Sequence, residues 1–398
     1  MSLRTIGSVG IVPPGALGVS FFYHLTSRLT HLDGRVFFVG RPGSISAREL
    51  QEGMGLRIAD THGIHTVKLE NLLNTGLLAG DSTAPLPELL MVCPNPDQIL
   101  PTLLPCIQLL EKSHQVGRLA PDELPFPTIV LCSNGIYFQR IRQVFIEALE
   151  ESTLMGRLPD LWPDLMPRIV ARLLRGVTIQ TSIRDGNGPQ ALYRPGPPGL
   201  TRIAGGDALT RRRAVELLHE LGASVESADD ASPTRVEFDK AIINLTANLL
   251  GQLAAIDEDG AFSLLTIGQV LEKVGFETIH RLGTRVVEVG KAVRAYGPRE
   301  QPEAIIQAVI LNLQQHAEHI PSSLQWLGLR LRRGEAVGDI APTELWLLEP
   351  LIHYARSAQL PDAASYFEEL RSQLQSQLSR MAARQIHSPV GGKKSIGE

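Results

Sequence analysis

A chain of 398 residues with 43% hydrophobic and 20% charged residues has the composition of a soluble globular protein, long enough for two domains with separate cores. A net charge of −4 and a pI near 6.3 exclude bulk attraction to nucleic acid or to an anionic membrane. Three cysteines, Cys93, Cys106 and Cys132, are too few and too scattered for a disulfide framework or a zinc site, so no metal is expected. No secretory pattern opens the chain and no apolar run approaches the length of a membrane span, which makes the cytoplasm the expected compartment. The basic clusters at 211–213 and 330–333 sit among helix-forming residues and read as solvated faces.

Taken in order, Ile6–Val12 reads as a strand, Pro13–Gly18 (PPGALG) as a tight turn, Val19–Thr30 as an amphipathic helix and Arg35–Val39 as a second strand. That order is a βαβ unit, and the turn stands where a dinucleotide-binding protein keeps its glycine loop. Gly15 and Gly18 occupy the second and third glycine positions, while Pro13 replaces the first and Pro14 follows it. Proline has no N–H to offer a phosphate, so on local pattern the turn reads equally as a cofactor loop or as a structural turn. After the second strand come Gly40, Arg41, Pro42, Gly43 and Ser44, with no carboxylate for a ribose. Arg41 with Ser44 would suit a 2′-phosphate, and an exposed turn arginine is the competing reading.

Leu89–Cys93 and Thr128–Cys132 are short apolar runs of the kind found in buried parallel strands. The second ends in Ser133-Asn134-Gly135, which is also a common turn sequence. Leu158–Arg168 is proline-rich and reads as an insertion. Strands are expected at Gly176–Ser182, Gln190–Arg194, Leu200–Ile203 and Ala223–Ser227, with a helix at Thr210–Leu221. Beyond Arg235 the pattern is helical, with amphipathic stretches at Ser263–Tyr296, Pro302–Ala317, Pro342–Ala358 and Ala363–Ala383. The expected architecture is therefore a Rossmann-like α/β domain with a parallel sheet over 1–235, an all-helical domain over 236–386 and a disordered tail over 387–398.

Val236–Leu250 opens the helical half and lies at the domain junction, where clefts tend to form. It is apolar on most sides, yet Lys240, Asn244 and Asn248 recur every four residues and so share one side of a helix. A lysine and two amides in such a helix need solvent, a partner or a ligand, because burying them unpaired is costly.

These features together resemble the ketopantoate reductase (2-dehydropantoate 2-reductase) family, from Ile6 to about Leu374. GALG at 15–18 looks like the family's glycine turn, VFFVGRP at 36–42 like its second strand and arginine, and SNGI at 133–136 like its QNG motif. FDKAIINLTANLLGQLAAI at 238–256 resembles the helix with the catalytic lysine, AEHIPSSLQ at 317–325 the serine-containing segment, and TEL at 343–345 the acidic motif. The resemblance implies an NADPH-dependent reductase of a 2-oxo acid, such as ketopantoate in pantothenate biosynthesis, acting as monomer or homodimer on a small molecule. It implies Lys240 as general acid, Glu344 as a catalytic or lysine-orienting carboxylate, and Asn244, Asn248 and Ser322 as substrate ligands. Gly15, Ala16, Leu17, Gly18, Arg41 and Asn134 would contact the cofactor. The chain departs from the family at Pro13 and at Cys93, where the family carries a lysine. Those departures keep two other readings open: a catalytically degenerate binding or regulatory protein, and a different dehydrogenase on the same two-domain plan.

Overall fold

The computed structural model describes residues 7–27, 35–53, 55–68, 73–79, 86–115, 126–152 and 165–387. Of the proline-rich stretch expected to be an insertion, residues 158–164 lie outside the described residues, and Leu165–Val170 forms a short helix. Residues 388–398 of the expected tail also lie outside them, while His387 closes the last helix. The chain forms two compact units, Met1–Val236 and Glu237–Glu398.

The described residues of the first unit form twelve strands. β1 (Val9–Val12), β2 (Val36–Val39), β6 (Leu89–Val92) and β7 (Thr128–Leu131) are four-residue runs buried at almost every position. Continuous apolar runs of this kind fit strands covered on both faces. The others are β3 (Gly55–Asp60), β4 (Gly63–Lys68), β5 (Leu73–Asn74), β8 (Leu173–Thr178), β9 (Ser182–Asp185), β10 (Leu192–Pro195), β11 (Thr201–Gly205) and β12 (Val225–Ser227). One sheet has the order β12-β11-β8-β7-β6-β1-β2-β5. Its strands from β5 to β8 are mutually parallel.

The expected parallel sheet is in fact mixed. β11 runs antiparallel to β8, with Thr201 opposite Thr178 and Gly205 opposite Leu174. The reason lies in the connection: β9 and β10, not a crossover helix, link β8 to β11, and a parallel return needs such a crossover. With β2 on one side of β1 and β6 on the other, the carboxyl ends of β1 and β6 form the topological switch point, where open α/β sheets bind ligands.

A second sheet, β4-β3-β10-β9, was not expected as a separate sheet, although its strand β10 falls on the strand expected at Gln190–Arg194. It changes the environment of the first helix, Ala16–Thr26. That helix packs against β1 and β2 and also against β9 and β10, and it buries Val19, Ser20, Phe21, Phe22 and Leu25. It is therefore covered on opposite sides instead of showing the expected amphipathic face. Polar contacts fix it to the small sheet: Ser20 Oγ donates to Thr181 O at 3.0 Å, and Tyr23 Oη to Asp60 Oδ2 at 2.9 Å.

The second unit is helical. Pro233–Asn244 continues through a π turn, Leu245–Leu249, into Leu250–Ala255. The helices Ile267–Val274, Phe276–Ala292, Pro302–Gln315, Ser322–Arg332, Pro342–Ser357 and Pro361–His387 follow. The expected stretch Ser263–Tyr296 is two helices, broken at Gly275, whose φ of 76° only glycine adopts readily. Proline at the first position of Pro302–Gln315 and Pro342–Ser357 sets φ where an N–H partner is not needed. No described helix is long and apolar enough to cross a membrane.

Candidate active site

At the carboxyl end of β1, the turn brings its glycines to unequal use. A Cβ on Gly18 would lie 2.3 Å from Pro13 O and 3.2 Å from Ile11 Cγ2, so the helix and strand approach too closely for any side chain there. This is the close-packing role of the third glycine in a dinucleotide loop. Gly15 is the N-cap of the helix, and its Cβ would meet nothing nearer than Pro13 Cγ at 3.9 Å. Ala16 and Leu17, half-buried, form the first helical turn, whose amides lack intrahelical acceptors. Pro14 is buried, and its carbonyl accepts from Tyr193 Oη at 3.2 Å. The glycine cradle and helix N-terminus fit a pyrophosphate; the two prolines contribute no donor to it.

Arg41 follows β2 and donates through Nη2 to Gln98 Oε1. Ser44 is buried and caps the helix Ile45–Glu52, accepting from Ala47 N at 3.3 Å. Its oxygen is thus already engaged, as the Arg41 guanidinium is with Gln98. Cys93 follows β6, and its N–H bonds to Val12 O at 2.7 Å. Burial and then the neighbouring Cys132 thiol push the Cys93 thiol well up, so this position is neutral where a lysine would be charged.

Asn134 is exposed at the tip of a firmly held loop after β7. Arg175 on β8, 2% exposed, donates to Leu131 O at 2.6 Å, to Gly176 O and Ser133 O at 2.7 Å, and to Gly135 O at 3.3 Å. Its guanidinium also lies 4.6 Å from the Tyr137 ring centre, and Tyr137 Oη donates to Ser133 O at 2.9 Å. A buried arginine thus takes the place of regular strand pairing in fixing this turn. Nothing in the apolar look of LLRGVT points to that use.

In the second unit, one pair of the expected substrate residues is in direct contact, Asn248 with Ser322. Lys240 is half-buried, and burial lowers its pKa to about 8. Asn244 is buried on the next turn. Asn248 Oδ1 accepts from Ser323 Oγ at 3.1 Å, and from Ser322 Oγ and Ser323 N at 3.4 Å. The helix Ser322–Arg332 has Pro321 at its N-cap and no side-chain cap of its own, so Asn248 supplies an oxygen to its open N-terminus. Ser322 itself is exposed; Ser323 is the buried partner.

The four-residue series continues one step beyond the sequence reading. Gln252 stands four residues past Asn248, is 2% exposed, and donates from Nε2 to Glu344 Oε1 at 3.1 Å. Glu344 is equally buried, and its Oε2 has no hydrogen-bond partner. Burial raises its pKa to about 7, offset in part by its own backbone N–H and by Gln252. No ion pair or hydrogen bond joins Lys240 to Glu344 among the described residues. Gln252 was legible in principle, because the four-residue period of Lys240, Asn244 and Asn248 simply continues.

Spacing alone does not carry the alignment, however. Four residues of α-helix advance about 400°, so a four-residue stripe drifts by about 40° per step. The π turn over Leu245–Leu249, in which Leu250 N bonds to Leu245 O, widens the winding and takes up part of that drift.

An α/β unit on a mixed, mostly parallel sheet followed by a helical unit is a fold this chain shares with a group of solved reductases and dehydrogenases. Among them is a D-mandelate dehydrogenase in ternary complex with NADH and anilino(oxo)acetate, with a TM-score of 0.62 and 14% identity over 94% of this chain and 99% of that one. A dimeric ketopantoate reductase from Staphylococcus aureus follows at a TM-score of 0.53 and 14% identity, covering 93% and 99%. A 2-dehydropantoate 2-reductase from Methylococcus capsulatus gives 0.52 and 16%, covering 92% and 98%. At these identities the likeness is one of fold. No protein-family model matches the chain, and no curated protein matches it in sequence.

Proposed function

We propose that the protein is an NADPH-dependent reductase that converts a 2-oxo acid of the ketopantoate (2-dehydropantoate) type to the 2-hydroxy acid. The observation that carries this reading is the four-residue series Lys240, Asn244, Asn248 and Gln252, in which Asn244, Asn248 and Gln252 are buried, Asn248 contacts Ser322 and Gln252 contacts Glu344. The fold neighbours, which include structures with NADH bound, support a nicotinamide cofactor. When bound, that cofactor supplies the hydride.

The chain's own residues supply the rest. As the substrate carbonyl gains electrons, negative charge develops on its oxygen, and the Lys240 ammonium stabilises that charge and delivers the proton. With a pKa of about 8, Lys240 is charged at neutral pH yet releases its proton more readily than an ordinary lysine. Asn248 has its Oδ1 occupied, which leaves its NH2 group to donate to a carboxylate; Asn244 and Ser322 bind the remaining polar groups. Glu344, lacking an ion-pair link to Lys240, serves as a carboxyl that carries a proton near neutrality. Gly15, Ala16, Leu17 and Gly18 hold the pyrophosphate, Arg41 reads the 2′-phosphate and Asn134 contacts the nicotinamide end.

A second reading rests on Pro13, Pro14 and Cys93: a protein that keeps the fold as a binding module without turnover. NADPH oxidation with ketopantoate and related 2-oxo acids separates the two. Lys240→Ala should lower the turnover number by about 100-fold or more, the size of a lost general acid. Equal rates in parent and variant overturn the role of Lys240. NADPH binding by fluorescence, with no oxidation on the substrate panel, supports the binding module.

A further inference from the structure

We propose that Gln252 is a positioning residue that fixes which oxygen of Glu344 carries the proton. This rests on the reductase reading for its consequence, and on the geometry of one buried pair for its substance. Gln252 Nε2 donates to Glu344 Oε1 at 3.1 Å. An oxygen that accepts an amide N–H inside a protein is best used as the carbonyl oxygen of a neutral acid or as half of a carboxylate. In the neutral acid, the hydroxyl is then left on Oε2, the buried atom that has no partner of its own. Gln252 therefore aims the proton of Glu344 away from the Gln252 side and leaves it free for a group not yet bound.

Little else near Glu344 can perform that function. The π turn Leu245–Leu249, which packs against Pro342–Ser357, holds no titratable side chain. The helix Pro361–His387 packs there too and carries Asp362, Glu368, Glu369, Arg371, Arg380 and Arg384. Glu368 and Arg371 meet this helix further along, at Arg356 and Glu349, while Arg380 and Arg384 donate to Glu258 O and Asp259 O. The helix Phe276–Ala292 carries Glu277, His280, Arg281, Arg285, Glu288 and Lys291, and Arg285 pairs with Glu288 on that same helix. The groups that do act on the ionised form are its own backbone N–H and Gln252, and both favour the carboxylate against the burial that opposes it.

The sign of the effect follows. Removing a donor from the carboxylate raises its pKa. If instead the Gln252 amide were turned so that its oxygen accepted from a Glu344 hydroxyl, removing it would lower the pKa.

The test uses the full chain with Gln252→Met, which keeps the length without the donor, and Gln252→Asn, which draws the amide back by one methylene. Two readouts are taken against pH: NADPH oxidation with a 2-oxo acid, and the infrared band of the protonated Glu344 carboxyl, assigned by its loss in Glu344→Gln. Both variants should move the rate limb near neutrality and the infrared midpoint upward by about one pH unit, the effect of one hydrogen bond to a charged group. A midpoint that is unmoved or moves downward, in a variant that folds as the parent does, overturns the proposal. The infrared titration needs no turnover. A parent that oxidises no NADPH would thus sink the reductase reading while the Gln252 assignment is still decided by the band.

Discussion

Glu344 stores a stability cost that depends on pH. Its folded pKa of about 7 lies above the ordinary 4.5, so the folded protein binds the extra proton between those values. Stability therefore falls as pH rises through that window, and above it the ionised group costs on the order of 3 kcal/mol. Glu344→Gln removes the charge while keeping the shape and the contact with Gln252. It should be more stable than the parent by about 1–3 kcal/mol at pH 8.5, with the gap shrinking to under about 1 kcal/mol at pH 5. Chemical denaturation at the two pH values checks this, and an equal difference at both would show that Glu344 does not titrate in this range. Lys240 has the opposite sign. Its folded pKa of about 8 lies below 10.5, so its protonated form disfavours folding and stability rises as pH climbs from about 8. In both residues burial disfavours the charged form.

At the scale of the element, two devices shape the proposed site, and they differ in how far the sequence reveals them. The polar stripe was legible because a four-residue period in an apolar helix is hard to produce by accident. The π turn that corrects its drift was not, since LTANL is unremarkable as helical sequence and only the bonding of Leu250 to Leu245 reveals it. The Asn134 loop shows the same division. Its turn residues were visible, but the arginine that pins it lies 41 positions later in a strand. Arg175→Met should unfold the protein more easily by about 3 kcal/mol or more, because several buried carbonyl groups lose their donor together. Urea denaturation measures that loss. A change below about 1 kcal/mol would mean that the loop holds its shape without Arg175.

At the scale of the whole molecule, the α/β order followed by helices was legible from the short apolar runs and the later amphipathic stretches. The small sheet was legible only in β10, at the strand expected over Gln190–Arg194. β4 is exposed at nearly every position, so it shows none of the buried alternation by which a strand is recognised. The first helix was legible as a helix, at Val19–Thr30, but its cover on opposite sides, which comes from the small sheet, was not.

The proline turn described above also bears on how the protein would meet a salt solution. Pro13 and Pro14 offer no amide to a phosphate, and Cys93 offers no charge, so under the proposed function discrimination between the two nicotinamide dinucleotides leans on Arg41. That arginine stands on a partly exposed turn, where its field is open to mobile counterions. The screening length contracts from about 8 Å at physiological ionic strength to about 3 Å at 1 M. The ratio of the NADH to the NADPH dissociation constant should therefore shrink markedly between 0.05 and 1 M salt, as followed by cofactor fluorescence. A ratio indifferent to salt would show that Arg41 does not read the extra phosphate. With Arg41 as reader, cofactor choice becomes a property of the medium as much as of the protein.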